Sequence, residues 1–353
     1  MNSSYCIDKV CICGAGDLGL SMAAHLSLNG ISVSLWNRTE ANIDEVIRTG
    51  TIHCSGIVNG VARNIKASSD LKEVINDFVM VTTPSSAHKD IAKKIAPFVH
   101  KNMIVILNPG RTFGAIEFVE QLKKEGVTDL PHIAETQTVV YTCRKINNNN
   151  VKIFALKNDV NIASLAKSDL SFIISKIPQC LKGYFSPVNS VAVTSFSNVG
   201  MILHCAPVLL NVGWIESDKS DFKYYYDGIS KSISVFLEKL DFERKSVALA
   251  NGYSIESLKD WLNRSYNING ETLYDCLNNN IAYKEIDAPK NLNTRYLFED
   301  IPNGLVPIEF LGRELNVPTP NITTIIDLAN SILDYDFRTK GRSFPLKVLK
   351  EYF

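Results

Sequence analysis

Val10-Cys11-Ile12-Cys13-Gly14-Ala15-Gly16-Asp17-Leu18-Gly19 is the stretch on which the reading of the fold turns. Four apolar residues run into a GxGxxG pattern, and the helix-patterned segment Leu20–Leu28 follows. Each glycine has its own task in a strand–turn–helix unit. Gly14 makes the tight turn, Gly16 lets backbone approach a pyrophosphate, and Gly19 allows close helix–strand packing. Asp17 and Leu18 begin a helix whose N-terminal N–H groups face the anion. The same letters occur in turns of α/β domains that bind nothing; the strand before and the helix after favour a dinucleotide site.

Working outward, the next strand-like run, Ser32–Trp36, ends in Asn37-Arg38-Thr39. An NAD enzyme places an acid near this point for the ribose 2′-hydroxyl, and none stands there. Arg38 with its neighbouring hydroxyl can instead grip a 2′-phosphate, a charge-assisted interaction of about 1.5–3 kcal/mol. NADPH is therefore the expected cofactor, with NADH also usable because Arg can stack on adenine without discriminating. Val79–Val81 leading into Thr82-Thr83-Pro84-Ser85, and Ile104–Leu107 leading into Asn108-Pro109-Gly110-Arg111, look like strand ends at the ligand-bearing edge of an open α/β sheet. Thr83, Pro84, Asn108 and Gly110 are accordingly candidate cofactor contacts; plain turn chemistry of Pro and Gly explains the same letters.

The alternation continues to about Pro187, with further strand-like runs at His132–Cys143 and Val151–Leu156 joined across Asn147–Asn150 as an expected antiparallel hairpin. Beyond Asn189 the pattern is helical: Ser190–Val212, Tyr224–Asn251, Ile255–Ser265, Thr272–Asn278 and Pro320–Leu333. The expected architecture is α/β, a Rossmann-type dinucleotide-binding domain over residues 1–187 followed by an all-helical domain over 188–353. Composition narrows the function. Lys plus Arg number 37 against 37 Asp plus Glu in 353 residues, so no overall field draws the chain to nucleic acid or an anionic membrane. Apolar runs such as Met103–Leu107 fall short of the roughly 18 residues that span a bilayer, and Met1–Lys9 is too polar for a secretion signal. Eight cysteines without a CxxC pair or zinc spacing imply reduced thiols, no metal and a cytoplasmic location.

Within the helical part, the run from Asn198 to Gly213 is apolar around its circumference except at His204 and Asn211, seven apart on one face. Such a histidine can be a satisfied core residue, and Pro207 a simple kink. The segment Thr294–Gly304 crowds Arg295, Glu299, Asp300, Pro302 and Gly304 into eleven residues. It reads equally as an ordered polar loop or a solvated connection.

Taken together these blocks resemble the octopine/nopaline (opine) dehydrogenase family. The resemblance runs from about Lys9 to Arg342. It rests on the GxGxxG start, Asn108-Pro109-Gly110 through Gly114 to Glu117-Phe118, Ala134-Glu135-Thr136 and Tyr141-x-Cys143-Arg144. The His204 helix with Asn211-x-Gly213-x-x-Glu216 follows, then Asp241-x-Glu243-Arg244, the Arg295–Gly304 loop with Val306-Pro307, and Val317-Pro318-Thr319-Pro320. It implies NAD(P)H-dependent joining of a 2-oxo acid to the amine of an amino acid, with His204 as acid/base, Asp300 as its partner and Arg295 as the carboxylate clamp. Asn198, Glu135 and Arg111 complete the expected substrate-binding set. Asp300 is expected to favour imidazolium and raise the His204 pKa. Many relatives follow this histidine directly with proline, whereas here Cys205 and Ala206 intervene before Pro207.

Two other readings share the fold. Ketopantoate reductases and glycerol-3-phosphate dehydrogenases reduce a carbonyl without an amine and typically use a catalytic lysine, which these blocks lack. A cofactor-binding sensor without turnover would keep the glycine loop and have no need of His204, Asp300 and Arg295. The sequence leaves a homodimer open and does not name the amino acid or the 2-oxo acid.

Overall fold

The computed structural model describes residues 7–218 and 221–353. The polar opening of the chain, read above as lacking a secretion signal, lies up to Cys6 outside the described residues. The chain divides into two compact units, one running to Gly110 and from Gly114 to Thr194, the other comprising Arg111–Phe113 and Ser195–Phe353.

Among its described residues the first unit holds twelve strands: β1 Lys9–Cys13, β2 Ser32–Trp36, β3 Ile52–Gly56, β4 Gly60–Ala62, β5 Lys66–Ser68, β6 Phe78–Val81, β7 Ile104–Leu107, β8 His132–Thr136, β9 Tyr141–Asn147, β10 Asn150–Leu156, β11 Val160–Ser164 and β12 Phe185–Pro187. Eight form one sheet in the order β12-β11-β8-β7-β6-β1-β2-β5. It is parallel except where β11 runs against β8. β6 and β7 are buried at every position, the pattern of central strands covered on both faces. The other four strands form a second, mixed sheet, β4-β3-β10-β9. Its β9–β10 pair is the hairpin read from the sequence, with Asn147 opposite Asn150.

The run His132–Cys143 is not one strand as expected. β8 ends at Thr136 in the large sheet and β9 begins at Tyr141 in the small one, because Gln137–Val140 turns the chain away. The small sheet packs on the helix Asp17–Leu28. That helix is buried at every residue from Gly19 to Leu26, which accounts for its lack of a polar stripe.

The second unit is helical, built on Gly200–Leu210, Lys231–Ala250, Leu258–Tyr266, Leu273–Asn279, Val306–Glu314 and Pro320–Leu333. Its buried charges brace helices. Arg244, wholly buried, donates to Asp241 Oδ1, the Phe196 carbonyl and the Glu256 carbonyl, and Glu243 accepts from the N–H groups of Asn321 and Ile322 at the start of Pro320–Leu333. The Asp241-x-Glu243-Arg244 block is thus explained by packing and capping.

The expected helix Ser190–Val212 is broken into Val191–Phe196 and Gly200–Leu210. By length and composition Val191–Leu210 is apolar enough to cross a membrane, with mean hydropathy 1.5, so the sequence reading understated this stretch. Its most apolar window is 83% buried inside the protein, the situation of a core segment. The described cysteines are all free thiols, and no group of His, Cys, Asp and Glu able to hold a metal occurs among the described residues.

Candidate active site

In the first unit the glycine loop is shaped by contacts that exclude side chains. Gly14 has φ +117° and its N–H donates to the Trp36 carbonyl at 2.8 Å. Thr82 Oγ1 donates back toward the carbonyls of Cys13 and Gly14 at 3.0 and 3.2 Å. A Cβ on Gly19 would fall on the Gly14 carbonyl, whereas one on Gly16 would meet nothing within 4 Å. The first is a packing requirement and the second leaves open space over the loop. Beside it, Thr83 Oγ1 is buried without a hydrogen-bond partner, an arrangement that costs free energy unless a ligand or water answers it.

Asn37 ties this loop to the end of β2: its Oδ1 accepts from Ala15 N–H at 3.2 Å and its Nδ2 donates to the Thr39 carbonyl at 2.8 Å. Arg38 is largely exposed, with Asp90 Oδ2 3.8 Å from Nη1. Pro84 is exposed.

The second unit gathers charge. Arg111, Asn198, His204, Tyr225, Arg295, Glu299 and Asp300 come from five separate parts of the chain. His204 lies on Gly200–Leu210 with Nδ1 2.7 Å from Asp300 Oδ2, Nε2 3.3 Å from the Tyr225 hydroxyl, and its ring stacked on Tyr296 at 4.0 Å and 13°.

Pro207 stands inside the helix without kinking it out of register with this site. The proline has no N–H for the Leu203 carbonyl four residues back. Tyr224 supplies the missing donor, its hydroxyl lying 3.2 Å from the Leu203 carbonyl and 2.8 Å from that of His204.

Arg111 is buried in the left-handed region at φ +61°. Its guanidinium lies 3.5 Å from Glu299 Oε1 through Nε and 3.5 Å from Asp300 Oδ1 through Nη1, and it donates to Asn198 Oδ1 at 3.4 Å. Gly200 makes room for it, since a Cβ there would come within 2.5 Å of Nη1. The neighbouring backbone is held by Thr112 N–H donating to the Asn303 carbonyl, Phe113 N–H to Ser195 Oγ and Arg342 to the Thr112 carbonyl. Glu299 also faces Arg295, 3.8 Å from its Nη1, and the Arg295 side chain is 57% exposed. Two cations and two carboxylates balance, leaving Arg295 as the reachable charge.

Burial pushes the His204 imidazole below its ordinary pKa. The Asp300 charge and hydrogen bond oppose the shift, and the Arg295 and Arg111 charges reinforce it. The expected rise is overturned, because desolvation and two guanidiniums outweigh one carboxylate. Burial alone would raise the Asp300 pKa, but Arg111, then His204 and Arg295, hold it below the usual carboxylate value. Asp300 therefore only accepts, His204 Nδ1 carries the hydrogen, and Nε2 presents a lone pair to which Tyr225 donates. Burial raises the Tyr225 pKa well above normal, keeping that hydroxyl protonated.

Other expectations need correction. Glu135 is wholly buried. It accepts from Ala115 N–H at the start of the helix Gly114–Lys124 and from Thr194 Oγ1, at 2.8 and 2.6 Å, so its carboxylate serves the fold and not a substrate amine. Gly110 is glycine because a Cβ would strike Glu135 Oε2, and the buried Asn108 turns its amide back to the Ile106 carbonyl, so neither offers a side chain to a cofactor. Asn198 is 1% exposed and holds Arg111 and Thr112. Sequence reasoning missed Tyr225, Tyr296, Glu299 and Gly200. The Tyr224-Tyr225-Tyr226 run was a visible signal; which hydroxyl reaches His204 was not.

Comparisons with known proteins find relatives over most of the chain. Residues 187–333 match the family model described as NAD/NADP octopine/nopaline dehydrogenase, alpha-helical domain, and residues 9–134 match the NAD-dependent glycerol-3-phosphate dehydrogenase N-terminus. An opine dehydrogenase from Arthrobacter sp. (strain 1C) is 36% identical over 335 residues, 94% of this chain and 92% of its own. The structure of octopine dehydrogenase with NADH and L-arginine has a TM-score of 0.74 at 18% identity, covering 92% of this chain and 89% of the other. NADP+-bound yersinopine dehydrogenase gives 0.72 at 13%, covering 98% and 93%.

Proposed function

Because the chain belongs to the octopine/nopaline (opine) dehydrogenase family, we propose that His204, Asp300, Arg295 and Arg111 carry its reductive joining of a 2-oxo acid to the amine of an amino acid. It is an NAD(P)-dependent oxidoreductase acting on CH–NH groups. Bound NAD(P)H supplies a hydride. The open space over Gly16, the left-handed turn at Gly14 and the unpartnered Thr83 hydroxyl fit such a dinucleotide. Gly14, Gly16, Asp17, Leu18 and Gly19 would hold the pyrophosphate, and Asn37, Arg38 and Thr39 the adenosine ribose. With Arg38 where an acid would select NAD, NADPH is the preferred form.

The observation that carries the assignment is the His204–Asp300 pair at 2.7 Å, set among two guanidiniums with a lone pair on Nε2. Joining the substrates needs the amine as free base and releases water; reducing the resulting C=N bond adds one hydride to carbon and one proton to nitrogen. His204, neutral at rest, can take a proton from the incoming ammonium at Nε2, displacing the Tyr225 hydroxyl, and later return it to the reacting nitrogen. Asp300 fixes the tautomer and steadies the imidazolium in between.

Arg295, a planar fork and the most exposed charge of the group, suits the 2-oxo acid carboxylate. A carboxylate bound there offsets the charge that lowers the His204 pKa, so substrate binding itself favours the protonated histidine. Arg111 is buried and already bonded, and it acts on the same carboxylate through its field and by holding Asp300 and Glu299. We place the enzyme in the cytoplasm, acting on small molecules.

NADPH oxidation measured over a grid of 2-oxo acids and amino acids tests the reading. Both substrates should be required, and the product should be a secondary amine bearing two carboxylates. A 2-hydroxy acid formed equally well without an amino acid would overturn it.

A further inference from the structure

β9 belongs to the small mixed sheet, yet one of its side chains reaches the glycine loop of the large one. Lys145 Nζ lies 3.5 Å from the Ala15 carbonyl, between Gly14 and Gly16, and 3.3 Å from the Asn42 carbonyl. Its own N–H donates to Asp17 Oδ1 at 2.8 Å, and Cys143, two residues earlier on the same face, lies with Sγ 3.4 Å from the Asp17 carbonyl. The strand is thereby fastened to the first residue of the helix that follows the loop. Asn42 closes the turn that leaves β2 through Asn37, Arg38 and Thr39. Asn37 Oδ1 accepts from Ala15 N–H, so Lys145 and Asn37 brace the same residue, one through its carbonyl and one through its N–H.

An ammonium has three N–H donors, and two carbonyls leave one unassigned. A carbonyl is also a weak partner for a full charge. Asp17 and Asp44 are the acids whose fields act on Lys145, opposing the burial that lowers its pKa. Both are otherwise engaged, Asp17 by the Lys145 main chain and Asp44 by Glu45 N–H and Asn148 Nδ2 at 2.8 and 2.9 Å. Among the described residues no carboxylate oxygen makes an ion pair with Lys145 Nζ. Across the turn, Arg38 is one cation already drawn toward Asp90 at 3.8 Å. A phosphate monoester is nearly a dianion near neutral pH and is best met by more than one cationic donor.

We propose that Lys145 is a second cation for the 2′-phosphate of NADPH, so that cofactor selection rests on Arg38 from β2 and Lys145 from the other sheet together. The proposal depends on the Arg38 turn being the 2′-phosphate site. The competing role, a strut that supports the loop for any dinucleotide, would affect phosphorylated and unphosphorylated riboses alike.

Calorimetric titration with 2′,5′-ADP and 5′-AMP, which differ only in the 2′-phosphate, separates these roles without turnover; NADPH and NADH repeat the comparison with the whole cofactor. Lys145→Gln should weaken 2′,5′-ADP relative to 5′-AMP, and NADPH by about tenfold, the scale of one lost charge-assisted bond. NADH affinity should stay within about twofold. Lys145→Arg should recover most of the loss, and Lys145→Met serves in place of Lys145→Gln if that variant is unstable. Equal weakening of NADPH and NADH, or no weakening of either, overturns the proposal. Wild-type protein that binds NADPH no better than NADH overturns the Arg38 reading with it. Loss of the NADPH preference in Arg38→Gln but not in Lys145→Gln overturns this inference alone.

Discussion

The two units make their sites from opposite materials. The glycine loop of the first is defined by what is missing: a Cβ at Gly19 would collide with the Gly14 carbonyl, one at Gly14 would crowd Thr82 and Thr83, and over Gly16 there is open space. The His204 centre of the second is defined by excess, with Arg111, Glu299 and Asp300 all buried within a few ångströms of one another. One is a backbone mould that a short sequence can encode. The other is a charge balance, in which each group's state depends on the others. The second also carries backbone strain: Arg111 and Phe113 both sit at φ +61°, at a cost of roughly 1 kcal/mol or more each, which the hydrogen bonds around Thr112 must offset. Perturbing the mould should change which cofactor binds, while perturbing the balance should change the chemistry.

The largest effect should come from the balance. His204→Ala is expected to lower kcat by at least about 100-fold, with NADPH affinity measured by fluorescence titration nearly unchanged, since the lost group is the proposed proton carrier. A near-normal kcat would make the histidine a packing residue. Arg295→Lys keeps the charge but loses the fork, so the 2-oxo acid KM should rise by about tenfold or more and kcat should fall, with smaller effects on the amino acid. If KM for the 2-oxo acid does not move, Arg295 holds something else.

A smaller effect is expected at the mould. Arg38→Asp sets a negative charge where the 2′-phosphate is proposed to lie, and should reverse or abolish an NADPH preference of about tenfold in kcat/KM. Equal use of NADPH and NADH before and after the change would remove Arg38 from cofactor selection.

What could be read in the sequence follows the same division. Gly14, Gly16 and Gly19 act within six residues, so their spacing carries their function, and the flanking strand and helix are found where the pattern puts them. The β9–β10 hairpin was equally local. Its membership in a second sheet was not, because β3 and β4 are short, weakly apolar strands and the pairing of β3 with β10 spans nearly a hundred residues. An apolar helix and a crowded loop drew attention to His204, Arg295 and Asp300, but their roles came only through resemblance to a family. That Glu135 caps a helix, that Glu299 faces two arginines and that Tyr225 meets Nε2 depend on contacts between distant segments, which no local periodicity encodes. The His204 pKa was misread because the Asp300 charge was weighed alone, whereas burial together with Arg295 and Arg111 outweighs it once the fold brings them around the ring.

That charge balance makes a prediction about pH. His204 must be neutral to take the ammonium proton, and with its pKa lowered it is neutral above the lowered value, so the rate of the reductive reaction should rise as pH rises through it. kcat/KM reports the free enzyme, where both guanidiniums depress the imidazole, and kcat reports the complex, where the substrate carboxylate offsets them. The rising limb of kcat should therefore lie at higher pH than that of kcat/KM. Asp300→Asn removes the opposing charge and should shift both limbs to lower pH. Coincident limbs in the wild type would mean that the substrate carboxylate does not bind near the arginines.

The smallest effect sharpens the contrast between a local signal and a distant partner. Pro207 reads locally as a helix defect, yet the helix carrying His204 runs through it because Tyr224 donates to the Leu203 and His204 carbonyls at 3.2 and 2.8 Å. Tyr224→Phe keeps the ring and its packing but leaves the Leu203 carbonyl without its donor, so stability by urea denaturation should fall by about 1–2 kcal/mol. Pro207→Ala restores a main-chain N–H four residues beyond Leu203, which can take over that bond. In a double-mutant cycle the Tyr224→Phe penalty should accordingly shrink in the Pro207→Ala background. If the two changes are instead additive, Tyr224 stabilises the unit through its ring alone, and the helix tolerates Pro207 for some other reason. The kcat of Tyr224→Phe distinguishes further: a modest fall accompanied by an unchanged NADPH affinity would mean that the same hydroxyl also holds the His204 backbone in position.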